Sequence, residues 1–280
     1  MLFGFHPGLV PLTKRYIVQQ LREAIHVARE LGLATLELAC TEDMAALGIP
    51  QVFGGEFMET LLQARDLRFH LRLFFGERSV DEVAINDTSP RARAAYLRKL
   101  YNAIEYFEHQ RPMQLYILTA GPKISDSATH VRSLITSLEC LHTMFPDLPL
   151  AIENGRRGTL LEQPPDLLDF LSAYANVGLV FDTGRAYQAS GFNRALFAQV
   201  LRAVSRFSDR LVEIHWKNLG PANPDGVPLH VPVERGVDLP LVARQLGRNP
   251  ALVHVIAGVV THIAQLARDR RALAGYLSAG

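Results

Sequence analysis

The sequence lacks most of the features that would assign a function class on their own. Across 280 residues it has only two cysteines, Cys40 and Cys140. That is too few for a disulfide framework or a thiolate metal site, so a reducing, cytoplasmic setting is expected. No apolar run reaches the roughly 18 uncharged residues that a membrane-spanning helix needs, so no membrane association is expected. The opening MLFGFHPGLVPL has no basic segment and is broken by prolines, which argues against a secretory signal. Charge of one sign is missing too: 29 Lys and Arg against 28 Asp and Glu leave a net +1, with no block of like charge. The electrostatic case for a general nucleic-acid or membrane-surface binder therefore falls away. What remains is 48% apolar and 20% charged, an ordinary globular composition with enough chain for a large core.

The main signal is an alternation of short apolar strands with amphipathic helices. Strands are expected near Leu2–His6, Thr35–Ala39, Leu67–Phe75, Met113–Thr119, Leu148–Glu153, Val177–Asp182, Leu211–Trp216 and Leu252–Ala257. Each is a short run of mainly Leu, Ile, Val and Phe, as parallel strands buried on both faces require. Between them, Ile17, Leu21, Ala24, Ala28 and Leu31 fall at helical spacing, as do Leu97, Leu100, Ile104 and Phe107 after a Ser89-Pro90 start. Val131, Leu134, Ile135, Leu138 and Leu141 repeat the pattern, and later helices are expected from about Pro165, Phe192, Asp238 and Val259. Eight strand–helix units in this length predict a single (β/α)8 (TIM) barrel domain spanning residues 1–280. The competing open doubly wound sheet would often carry a Gly-rich phosphate turn after its first strand, and none is there. The longest expected loop, Lys217–Gly236, follows the seventh strand.

In such a barrel, chemistry sits where strands end at the C-terminal face. The fifth strand ends in Glu153-Asn154, the sixth in Asp182-Thr183-Gly184-Arg185, and the seventh carries Glu213, His215 and Lys217. Two carboxylates and an imidazole on adjacent strands would converge at the mouth, and they suit Mn, Mg, Co or Zn. Taken singly, each has a structural reading: Glu153 paired with Arg156, Arg157 or Arg185, Asp182 organising a turn, His215 hydrogen-bonded in the core. His70 in the third strand and His230 in the long loop are further candidates.

These residues carry a resemblance. Leu31-Gly-Leu-Ala-Thr-Leu-Glu37-Leu, Ala151-Ile-Glu153-Asn154, Leu179-Val-Phe-Asp182-Thr183-Gly184, Ile214-His215-Trp216-Lys217-Asn218 and His230 followed by Gly236-Val237-Asp238 stand in the order and spacing of the xylose isomerase-like barrel superfamily. That superfamily includes sugar isomerases and epimerases, related dehydratases and the endonuclease IV family. The resemblance implies Glu153, Asp182 and His215 as metal ligands, with Glu153 also the base, and His230 as a ligand or substrate contact. Three departures stand beside it. Arg185 replaces a histidine, the fourth strand ends in Thr119-Ala120-Gly121, and the eighth strand, Leu252–Ala257, has no carboxylate where the family supplies a glutamate. Glu213 or His254 would have to supply a fourth ligand.

The expectation is a divalent-metal-dependent isomerase-, epimerase- or dehydratase-like enzyme acting on a small sugar-like substrate. In it Glu153 and Lys217 are catalytic, and His70, Arg185 and His230 bind substrate. One alternative is a degenerate, metal-free barrel that binds a ligand or partner, with Arg185 neutralising Glu153 and Asp182. Another is an endonuclease IV-like nuclease, although nucleic acid is not the expected partner at net charge +1.

Overall fold

The structure, a computed structural model, describes residues 2–7, 14–74, 84–123, 127–155, 158–247, 249–257 and 263–279. All eight expected strands form: β1 (Leu2–Phe5), β2 (Thr35–Thr41), β3 (Arg68–Phe74), β4 (Leu115–Thr119), β5 (Leu150–Glu153), β6 (Gly178–Asp182), β7 (Leu211–Trp216) and, as the eighth barrel strand, β10 (Val253–Ile256). They close into a parallel barrel in the order β1-β10-β7-β6-β5-β4-β3-β2. Most are buried along their whole length, which is why they read as continuous apolar runs.

The helices are α1 (Lys14–Glu30), α2 (Glu42–Ala46), α3 (Ile49–Phe53), α4 (Glu56–Gln63), α5 (Pro90–Gln110), α6 (Ser127–Met144), α7 (Pro164–Ala173), α8 (Thr183–Ala189), α9 (Arg194–Val204), α10 (Leu239–Leu246) and α11 (Ile263–Ala279). The expected Ser89-Pro90 start of α5 is found: the Ser89 hydroxyl accepts from Ala92 N at 3.4 Å, with Pro90 in the first turn. Asn193 caps α9 and Asp238 caps α10. The expected start at Val259 and the last residue of the third strand, Phe75, lie outside the described residues.

Two places differ from the sequence reading. Between β2 and β3 the chain breaks into three short helices, separated at Gly48 and Gly55, whose φ values of 92° and 53° favour glycine. The segment after β7 contains a hairpin, β8 (Asn218–Gly220) and β9 (Asn223–Val227), paired antiparallel. No helix among the described residues is long and apolar enough to cross a membrane.

The chain divides into two compact units, Met1–His6 with Glu153–Gly280, and Pro7–Ile152. In the first, Phe181, Phe197, Ile214, Trp216, Val242 and Ile256 are buried; in the second, Leu36, Leu38, Leu71, Leu73, Tyr116 and Leu134 are.

Candidate functional site

Register decides which side chains in the first unit share a face. Val180 and Asp182 of β6 stand beside Glu213 and His215 of β7, so all four project to the same side. Glu153 at the end of β5 joins them. Its Oε1 lies 2.8 Å from His215 Nδ1, and Glu213 Oε1 lies 2.6 Å from His215 Nε2. The imidazole is therefore held between two carboxylates, one at each ring nitrogen. None of Glu153, Glu213 and His215 has any exposed surface, and Asp182 is 4% exposed.

Asp182 has a second task. Its Oδ1 accepts from Arg185 N at 2.8 Å and so caps α8, while Asn154 Oδ1 accepts from Asp182 N at 2.6 Å and Asn154 Nδ2 donates to Asp182 O at 3.2 Å. This reciprocal pair ties the end of β5 to the end of β6. Thr183 does the same between β6 and β7: its hydroxyl is 3.1 Å from the carbonyls of His215 and Lys217 and accepts from Lys217 N at 2.9 Å. Asn154 and Thr183 are positioning residues. Their signal was a polar side chain directly after each strand-ending acid.

Arg185 lies across the carboxylates. Its guanidinium donates to Glu153 Oε2 at 2.6 Å, and its Nε is 3.5 Å from Asp182 Oδ2. At 13% its side chain is more exposed than those of Glu153 and Asp182, at 0% and 5%. The expectation that Arg185 could pair with these acids is met in the geometry. Arg156 and Arg157, the other pairing candidates, lie outside the described residues.

The donor atoms of Glu153, Asp182 and His215 all lie within 4.8 Å of one another. They are hard or borderline donors, two carboxylates and an imidazole, so the set fits a divalent ion by donor chemistry, while Arg185 already supplies a positive charge to both acids. The two residues considered for a fourth ligand do not join it. Glu213 sits at the opposite edge of the His215 ring from Glu153, so one ion cannot take both carboxylates and the Glu153-facing nitrogen. His254 stands in register with Ile214 and Phe3, on the other face of the sheet, where Arg270 of α11 stacks on the Phe3 ring. There its Nδ1 accepts from Trp216 Nε1 at 3.1 Å.

His230 does not join the group either. Its Nδ1 is 2.6 Å from Asp269 Oδ1, and its Nε2 accepts from Arg268 Nε at 3.2 Å, so α11 engages both ring nitrogens. His70 belongs to the second unit, buried on β3 in register with Glu37 of β2 and Leu115 of β4. Two residues along the same face, Arg72 lies 3.7 Å from Glu37. That charged pair was legible only as alternation in Arg68-Phe-His-Leu-Arg-Leu-Phe.

The Lys217 stem packs between two glycines. A Cβ on Gly184 would lie 2.7 Å from Leu219 Cδ2 and 3.0 Å from Lys217 Cδ, and one on Gly226, at φ 102°, would lie 3.4 Å from Lys217 Cε. Gly184→Ala is expected to displace Lys217 and the buried Leu219, costing about 1–3 kcal/mol as overpacking does. Urea denaturation checks this, and an unchanged midpoint would mean the stem has room to move.

No family model matches this sequence, and no curated protein is similar to it in sequence. Solved structures do match its fold. A D-tagatose 3-epimerase-like protein superposes with a TM-score of 0.72 at 15% identity, covering 99% of this chain and 97% of its own. A protein from Anabaena variabilis described as a sugar phosphate isomerase/epimerase reaches 0.67 at 13%, covering 96% and 87%. A xylose isomerase domain-containing protein from Salmonella typhimurium gives 0.59 at 10%, covering 99% and 97%. The chain thus has the fold of the xylose isomerase-like barrels. At these identities the likeness is one of fold, and the reaction has to be argued from the site.

Proposed function

We propose that the chain, acting as one domain, is a divalent-cation-dependent, isomerase-like enzyme for a small polyhydroxylated carbonyl substrate, a sugar or sugar phosphate. The observation that carries this reading is the convergence of Glu153, Asp182 and His215, three buried donors within 4.8 Å at the ends of β5, β6 and β7. The sugar-processing names of proteins that share the fold agree with it. The two free cysteines suit a reducing cytoplasm, and burial pushes the Cys40 thiol up to about 12.

Glu153, Asp182 and His215 would hold Mn, Mg, Co or Zn. When bound, the ion would polarise a carbonyl and its neighbouring hydroxyl. Glu213 would orient the ring by accepting from His215 Nε2, the role that carboxylates play behind metal-bound histidines. Glu153 would take the proton from the carbon next to the carbonyl. Epimerisation by two bases needs a proton-carrying group on each face of that carbon, and β10 brings no carboxylate. One-base chemistry is therefore favoured: isomerisation, dehydration or aldol-type cleavage. Arg185 and Lys217 would meet an anionic group on the substrate.

A metal-free, ligand-binding barrel is the second reading, favoured by the Arg185 bonds to Glu153 and Asp182. Metal content separates the two. After incubation with these ions and dialysis, the wild type is expected to hold about one equivalent per chain by mass spectrometry, and Glu153→Gln and Asp182→Asn to lose it. A wild type that stays empty would sink the metalloenzyme reading and leave the second standing.

A further inference from the structure

Arg185 occupies the acidic ligands, and it is also the member of the cluster best able to leave. Its guanidinium bonds Glu153 Oε2 at 2.6 Å and reaches Asp182 Oδ2 at 3.5 Å, while its side chain keeps 13% of its surface in solvent. Glu153 and Asp182 are two of the three residues that would receive an ion, and each already offers a carboxylate oxygen to the guanidinium. The guanidinium and a divalent ion therefore compete for the same lone pairs. The backbone of Arg185 does not share in that competition. Its N–H is fixed by Asp182 Oδ1 in the first turn of α8, so the side chain can swing without loss of the helix cap.

On the reading that this is a divalent-cation site, we infer that Arg185 is an exchangeable internal counter-ion. It holds Glu153 and Asp182 when no divalent ion is bound, and it yields them as the ion enters. The freed guanidinium then faces solvent beside Lys217, whose stem is held between Gly184 and Gly226. Two cations at one mouth, one of them released by metal entry, make a receptor for a doubly charged oxyanion such as the phosphate of a sugar phosphate. Cation loading and anion capture are thus coupled, and by linkage each strengthens the other equally.

Calorimetric titration with Mn2+ tests the exchange without any turnover. Removing a competing charge-assisted contact should make Arg185→Ala bind Mn2+ about tenfold more tightly than the wild type. Methylguanidinium, which refills the vacated place, should weaken that binding again. Sulfate, an oxyanion that stays soluble with Mn2+, should tighten Mn2+ binding to the wild type and leave Arg185→Ala unaffected. Arg185→Lys provides a variant that keeps the charge but cannot bridge two carboxylates, and its affinity should fall between the other two. Equal Mn2+ affinity across wild type, Arg185→Lys and Arg185→Ala would overturn the exchange while leaving the cation site intact. Absence of Mn2+ binding in all three would instead remove the cation site itself.

Discussion

Replacing His215 with leucine is expected to cost about 3 kcal/mol of stability, the upper range for leaving buried acceptors without their hydrogen-bond partner. The ring touches carboxylates at both nitrogens, Glu153 at 2.8 Å and Glu213 at 2.6 Å, and all three residues are fully buried. A leucine fills the space and answers neither acid. Pairing the change with Glu213→Gln should recover part of the loss, because the Glu213 charge that faced Nε2 is gone while Glu153 keeps its Arg185 contact. The two substitutions should therefore be clearly non-additive. Glu213→Gln alone should fold but bind metal about 10–100-fold more weakly, the usual effect of losing the carboxylate behind a metal-bound imidazole. Urea denaturation of the two single variants and the double variant checks the first claim and metal titration the second. A His215→Leu loss under about 1 kcal/mol would mean that water reaches the acids, against their burial.

What the sequence could and could not disclose follows from which forces are local. The eight strands were readable because most are buried on both faces, so apolar runs mark them. The pairing of acid and imidazole at strand ends was readable because a barrel directs consecutive strand ends to one face. Helix α8 was not, because it is only seven residues long and starts on the strand end itself. Asp182-Thr-Gly reads there as a turn, and the same aspartate turns out to be the helix cap. The β8–β9 hairpin reads as loop because its first strand has three residues. His254 and Glu213 could not be sorted by inspection either. Each strand alternates its faces, but which parity matches the neighbouring strand depends on register, and Val255 rather than His254 stands beside His215. The double reading of Arg185, anion contact or neutralising partner, survived for another reason. In the exchange proposed above both readings are states of one residue.

Lowering the pH from 6.5 to 4 is expected to cost the wild type about 3 kcal/mol more than it costs a His254→Gln variant. Burial among Phe3, Ile214 and Trp216 pushes the His254 ring down to about 4, because the charged form has no water to solvate it. The folded protein therefore keeps the ring neutral, with Nδ1 accepting from Trp216 Nε1 and the proton on the buried Nε2. In the unfolded chain the same ring takes a proton near 6.5. Between these values the unfolded state binds more protons than the folded one, so stability falls as pH falls through the window. Above 6.5 both states are neutral and below about 4 both are charged, and in each range this contribution is flat. Carboxylates elsewhere titrate in the same range, so the wild-type profile alone would not isolate the effect. Subtracting the His254→Gln profile does, since glutamine can still accept from Trp216 and carries no charge. The consequence reaches the site through β7, which presents Trp216 on one face and His215 on the other. A protonated His254 no longer accepts from the indole at the end of that strand. Denaturation midpoints for both proteins at half-unit steps from pH 7.5 to 4 measure the difference, and parallel profiles would show that the ring is already solvated in the folded state.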